Sequence, residues 1–213
     1  MTNYAPLVAT ADRAIDREAS AEGRHLVRLE RVFSTSIDDT WDAITNPGRI
    51  PRWFMPISGD LRPGGRYQLE GNAGGTVERC DPPRAFTATW EFAGQVSHIE
   101  VSLAPVNEES TRVSLIHIVP DDDHWRRFGP GAVGVGWDMG MLGLTLYLES
   151  GSSMTPEEAM AWMMSEDGAR FMRRSNDAWA EAAIAAGEDG HLARAAAART
   201  IAFYTGTEPP AEG

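Results

Sequence analysis

"GPGAVGVGWDMGMLGLTLYLE", Gly129 to Glu149, is the most apolar long stretch of the chain, and six of its residues are glycine. Each glycine costs an exposed helix about 1 kcal/mol relative to alanine, yet the spacing predicts a helix. At about 3.6 residues per turn, Val133, Trp137, Met141, Leu144 and Leu148 form one stripe. Gly136, Gly140, Gly143 and Tyr147 lie beside it, and Val135, Met139, Leu142 and Leu146 lie nearly opposite. Only Asp138, Thr145 and Glu149 form a narrow polar strip. A helix apolar nearly all round is buried on more than one side. A sheet is expected on one side and the later helices on another. The glycine row then marks where a second backbone comes close, or where room is left for a ligand. The stretch is long enough to span a membrane, but its glycines, Asp138 and Glu149 dilute it, so a buried helix of a soluble domain is expected.

Upstream, the pattern switches to period two. "HLVRLERVF" (25–33) places Val27, Leu29, Arg31 and Phe33 on one face and reads as a strand. "STSIDDTWDAIT" reads as a short helix with Ser36 as its cap and Asp38 and Asp39 at its positive end. "NPGRIPRWF" is a second short helical piece broken by prolines. Strands follow around Tyr67 and Leu69, in "TVERC", in "AFTATWEF" (85–92), in "VSHIEVSL" (96–103) and in "TRVSLIHIV" (111–119). Their tight connections imply an antiparallel sheet with one wetter face. "DDDHW" (121–125) is expected to be a solvated loop. Residues 1–24 are an N-terminal arm, either a short helix around Ala9–Ala19 or an extra edge strand. After "SGSS" (150–153) come three helices. Thr155, Pro156 and Glu158 supply a cap, a proline at the first position and a capping-box acid for the first. Residues 166–187 and 190–206 form the others, each ended by glycine, and the last residues, "TEPPAEG", are expected to fray.

The formal charge of −12 and the sequence pI near 4.8 make phosphate backbones and anionic membranes poor partners. Cys80 is the one cysteine. It excludes an internal disulfide and a cysteine-based metal cluster, and it fits a reducing cytoplasm. No signal peptide is expected from the first residues.

Strand, two short helices, antiparallel sheet and one long helix is the helix-grip order, an α+β architecture. The match extends to words: "FSTSIDDTWDAITNPGRIPRWF" (33–54), "GDLRPGGRYQLEG" (59–71), "CDPPRAFTATWEF" (80–92) and "GVGWDMGMLGLTLYL" (134–148). Residues 25–149 resemble the START-like (SRPBCC) superfamily. Within it they are similar to the branch named after the C-terminal domain of the activator of heat-shock-protein-90 ATPase. The resemblance implies a curved sheet gripping the long helix, with an apolar cavity between them. Members bind lipids, polyketides or other hydrophobic molecules, and some catalyse cyclisation. Residues 150–213 resemble a helical extension of bacterial members and are expected to pack on the same domain. The separate N-terminal domain of the full activators is not present, so a co-chaperone role is not expected.

Strand parity and the helix stripe together nominate Arg31, Tyr67, Trp90, His117, Trp137 and Met141 as cavity residues. Arg31 or His117 either meets a polar ligand group or is satisfied internally, Arg31 for example by Glu78, since a buried ionisable group must be paired. Trp41, Trp53, Trp162 and Trp179 read as core and helix packing. Carboxylates in 121–123 and His117 have no known metal-site spacing, so neither metal nor cofactor is expected. Nothing resembles a nucleophile elbow or a phosphate loop. Three functions are in contention. The preferred one is binding of a hydrophobic or aromatic small molecule, by a monomer or homodimer, with no chemistry. The second is a cyclase-, dehydratase- or hydrolase-like enzyme using His117 as acid or base, with Tyr67 or Arg31 stabilising an enolate or phenolate. The third is a chaperone-regulator-type interaction module.

Overall fold

The computed structural model describes residues 3–16 and 23–206. Eight strands form one antiparallel sheet: β1 (Asp12–Asp16), β2 (Arg24–Phe33), β3 (Ile57–Gly59), β4 (Arg66–Leu69), β5 (Gly74–Asp81), β6 (Ala85–Phe92), β7 (Gln95–Asn107) and β8 (Ser110–Pro120). Their order across the sheet is β1-β2-β8-β7-β6-β5-β4-β3. Helix α1 (Ile37–Thr45) and a 3-10 turn (Ile50–Arg52) connect β2 to β3. After β8 come α2 (Asp123–Phe128), α3 (Gly131–Ser150), α4 (Pro156–Met163), α5 (Glu166–Ala185) and α6 (Gly190–Tyr204).

The alternation in β2 is complete: His25, Val27, Leu29, Arg31 and Phe33 are buried, and the residues between them are not. This face, with Val113 and Leu115 of β8 and Val101 and Leu103 of β7, packs against Met141 and Leu144 of α3. Such a sheet face buries its apolar parity set against the one long helix laid across it.

The arm forms a strand: β1 pairs antiparallel with β2 at the sheet edge. Residues 17–22, on which part of the alternative helix falls, and 207–213, where fraying is expected, lie outside the described residues. Two elements differ from the sequence reading. Residues 57–59 add a third short strand on β4, too short for its alternation to be recognised. The expected loop at 121–125 is instead the start of α2, because the Asp122 carboxylate accepts the Trp125 N–H at 2.9 Å and nucleates a turn.

The second apolar side of α3 is covered by the tail and the arm. Leu142, Met139 and Leu146 cluster with Val8, Trp162 and Phe171. Close contact explains two glycines here. A methyl at Gly131 would overlap the Asn176 carboxamide, and one at Gly134 would overlap the Trp179 indole. Trp179 is fully buried, so the ring has nowhere to go.

The narrow polar strip of α3 is not solvated at Asp138. This carboxylate is buried, and both its oxygens take Arg13 of β1, with Nε at 3.1 Å. The Ser175 hydroxyl and the Trp179 indole N–H (2.9 Å) donate to Oδ2 as well. This one carboxylate therefore joins β1, α3 and α5. Its burial is tolerated because each charge is paired and the remaining lone pairs are used. Thr145 is buried too, its hydroxyl donating to the Met141 carbonyl at 2.6 Å.

Candidate functional site

The chain between β2 and β3 builds one wall of a cavity. Ser36 caps α1 by accepting the Asp39 N–H at 3.3 Å. Arg49 then pins the segment to α3: its Nε donates to the Tyr147 hydroxyl at 2.8 Å, and Nη1 donates to Asp39 at 2.7 Å and Asp42 at 2.9 Å. These two carboxyls are held below the usual carboxylate range chiefly by the Arg49 hydrogen bonds. The Trp53 indole donates to the Ala43 carbonyl at 2.9 Å. A methyl at Gly143 would overlap the Trp53 carbonyl, so this glycine admits the backbone of the turn.

Between this wall, the inner face of the sheet and α3 lies a cavity of about 330 Å³, within the range of small-molecule sites. Trp41, Ile44, Trp53 and Phe54 line it from the α1 side. Tyr67, Phe86, Ala88, Trp90 and Ile99 line it from the sheet. Trp137, Gly140 and Met141 line it from α3. Strand parity dictates the sheet set, because Phe86, Ala88 and Trp90 alternate with Thr87 and Thr89. Gly140 keeps the floor open: a methyl there would sit 3.3 Å from the Phe54 ring edge.

Among the described residues no charged side chain lines the cavity, and the hydroxyls that line it are already committed. The Tyr67 hydroxyl donates to the Thr89 carbonyl at 2.7 Å, and the Thr45 hydroxyl donates to the Trp41 carbonyl at 2.7 Å. Burial, with a smaller contribution from Glu91, pushes the Tyr67 phenol up to about 12.

Of the six nominated residues, Tyr67, Trp90, Trp137 and Met141 line this space. His117 lies one layer behind, edge-on to Trp137 (ring centroids 5.8 Å) and to Trp90 (5.9 Å). Its two nitrogens are both occupied. The Trp137 indole N–H donates to Nδ1 at 3.0 Å, and since an indole nitrogen only donates, Nδ1 must be the bare acceptor. The proton of the neutral ring therefore sits on Nε2, 2.8 Å from Ser97 Oγ, and Ser97 in turn donates to the Trp90 carbonyl at 3.2 Å. Burial, and secondarily the charge of His98, pushes the imidazole down to about 4.

Arg31 is not among the cavity residues. Parity puts it on the correct face, but β2 lies at the filled side of the sheet, where α3 packs directly. Its guanidinium sits over the Phe33 ring at 5.4 Å and 3.6 Å from Glu149. Burial lowers its pKa and Glu149 opposes that. Glu78 is not its partner: β5 is four strands away, and Glu78 faces His98 at 3.5 Å instead.

Trp41 and Trp53, read from sequence as packing, belong to the cavity wall, as do Phe54 and Phe86. The amphipathic spacing of Trp41 and Ile44 shows that they face inward, but not that the space before them is empty. Ser97 shares parity with Ile99 and Val101 and could be placed on the inner face on that ground alone. Its bond to His117 depends on pairing across strands. Among the described residues, no group of three His, Cys, Asp or Glu side chains is placed to hold a metal ion, and no helix is long and apolar enough to cross a membrane.

A long helix gripped by a curved antiparallel sheet, with an apolar cavity between them, defines the START-like helix-grip class of ligand-binding domains. The sequence model described as "Activator of Hsp90 ATPase homolog 1-like protein" matches residues 34–149, and the chain belongs to that family. The structure is similar to the crystal structure of CalU16 from Micromonospora echinospora, with a TM-score of 0.66 and 29% identity, covering 81% of this chain and 97% of that one. That likeness reaches well beyond the family segment. DynU16, a protein of the dynemicin biosynthetic locus, shares the fold with a TM-score of 0.52 and 21% identity over 60% of this chain and 48% of its own. An HSP90 activator from Plasmodium falciparum does so with a TM-score of 0.51 and 19% identity over 59% and 96%. A comparison with curated proteins returned no significant match.

Proposed function

We propose that this protein is a binding domain that encloses a hydrophobic small molecule between α3 and the sheet and performs no chemistry on it. The observation that carries this is the cavity itself, about 330 Å³ of space walled by indole, phenyl and aliphatic side chains. Close-packed interiors do not leave such a space unfilled without cause. The wiring of His117 supports binding over catalysis. A general acid or base must reach the reacting proton, and here both ring nitrogens are bonded to protein groups, with Trp137 between the ring and the cavity. An interaction module of the chaperone-regulator type would need no such room. Localisation in the cytoplasm and the ligand-contact roles of Tyr67, Trp90, Trp137 and Met141 belong to the same proposal.

Native mass spectrometry of the protein purified from its own host is the test. We expect a retained small-molecule mass that is lost in a Gly140→Leu variant, whose side chain fills the cavity floor. A bare protein mass, together with no uptake of an added hydrophobic probe, would overturn the binding function.

A further inference from the structure

The cavity is unusual in what it lacks. It is large enough for a ring system, yet among the described residues no Arg, Lys, His, Asp or Glu lines it. Its hydroxyls, those of Tyr67 and Thr45, give their protons to backbone carbonyls. An anion entering this space would leave its water shell and find no cation and no uncommitted hydroxyl. An unpaired buried charge costs far more than a neutral polar group. Its aromatic walls offer ring faces and edges, which favour ring-bearing guests through offset and edge-to-face contact.

The surroundings respond to charge in one consistent direction. Three titratable groups border the cavity or stand directly behind its wall, and each is pushed toward its neutral form, with burial as the leading cause. The Tyr67 phenol moves up to about 12, the Cys80 thiol moves up, and the His117 imidazole moves down to about 4. In each case the leading cause is burial by the protein around the cavity, which disfavours charge of either sign.

We propose that the cavity takes its ligand uncharged, as a ring-containing molecule, and rejects the same skeleton once it carries a sulfonate or carboxylate. This rests on the binding function proposed above and specifies its ligand class.

The test uses two probes that share one skeleton and differ in charge, phenylnaphthylamine and anilinonaphthalene sulfonate, each titrated by fluorescence into the full chain. The net charge of −12 repels the sulfonate from outside, so the titrations are run at about 0.15 M and about 1 M NaCl, the latter screening surface charge beyond about 3 Å. We expect saturable binding of the neutral amine at least about tenfold tighter than that of the sulfonate at both salt concentrations, since desolvation of a buried charge is screened little. Gly140→Leu should abolish the amine's binding. Should that variant not fold, as judged by circular dichroism, energy transfer from tryptophan to the bound amine in the wild-type protein locates the site instead. Equal or tighter binding of the sulfonate at high salt would overturn the charge selectivity and leave the binding function standing. Failure of both probes to bind would overturn both.

Discussion

At Gly134, α3 touches the indole of Trp179, and less than two turns later, at Gly140, it faces the edge of Phe54 across the cavity floor. Both glycines are buried in the same helix, and their surroundings are opposite. Around Gly134, α5 closes in completely: Trp179 is fully buried, and Asp138 ties Arg13, Ser175 and Trp179 into one network. Around Gly140, the neighbouring wall is held off by Arg49 and by the backbone contact at Gly143, and space remains. Small residues thus serve two ends along one helix. They allow close packing where a partner helix fills the gap, and they leave room where the partner is a braced loop.

The largest effect should come from the filled end. Asp138→Ala would strand the Arg13 guanidinium in the interior with the Ser175 and Trp179 donors unpaired, and we expect a loss of about 3–5 kcal/mol in urea unfolding. A loss below about 1 kcal/mol would mean that the network is not what joins β1, α3 and α5.

The open end is expected to show itself in acid. His117 is held neutral, with its pKa lowered from 6.5 to about 4. The unfolded chain therefore binds more protons between those values, and stability is lost as pH falls. The contribution is fully present above about 6.5 and gone below about 4, amounting to about 3 kcal/mol. In a His117→Gln variant this part of the pH dependence should vanish. Parallel curves for the two proteins from pH 7 to pH 4 would show that the imidazole is not buried behind Trp137.

The same substitution at the two glycines breaks the comparison most directly. Gly134→Ala is expected to cost about 1–3 kcal/mol through overpacking against Trp179. Gly140→Ala, the smallest effect, is expected to change stability by less than about 1 kcal/mol, as the gain in helix propensity is offset by the methyl's 3.3 Å approach to the Phe54 ring edge, which borders the cavity and has room to shift. Thermal unfolding of the two variants side by side decides this. If both are equally destabilised, the space at Gly140 is not available in solution.

Period-two alternation in residues 25–33, 85–92, 96–103 and 111–119 identified the central strands and their inner faces, because each strand buries one side and wets the other. The helical wheel of 133–149 required two covered sides, and the words shared with the family pointed to the grip. These signals are local, and the chain carries them wherever it goes. Other features needed distance in space. Asp138 read only as part of a narrow polar strip, because nothing in 131–150 reveals Arg13, which arrives from a strand 125 residues earlier. Arg31 had the correct parity and the wrong neighbourhood, since parity selects a face of the sheet and not a position along it. Trp41 and Trp53 read as packing, for an inward-facing indole looks the same in sequence whether its neighbour is another side chain or a void. The sequence by itself determined which residues face inward. Only the tertiary structure decided which inward faces meet and which leave a space, because a cavity is a property of the gap between elements and no single element encodes it.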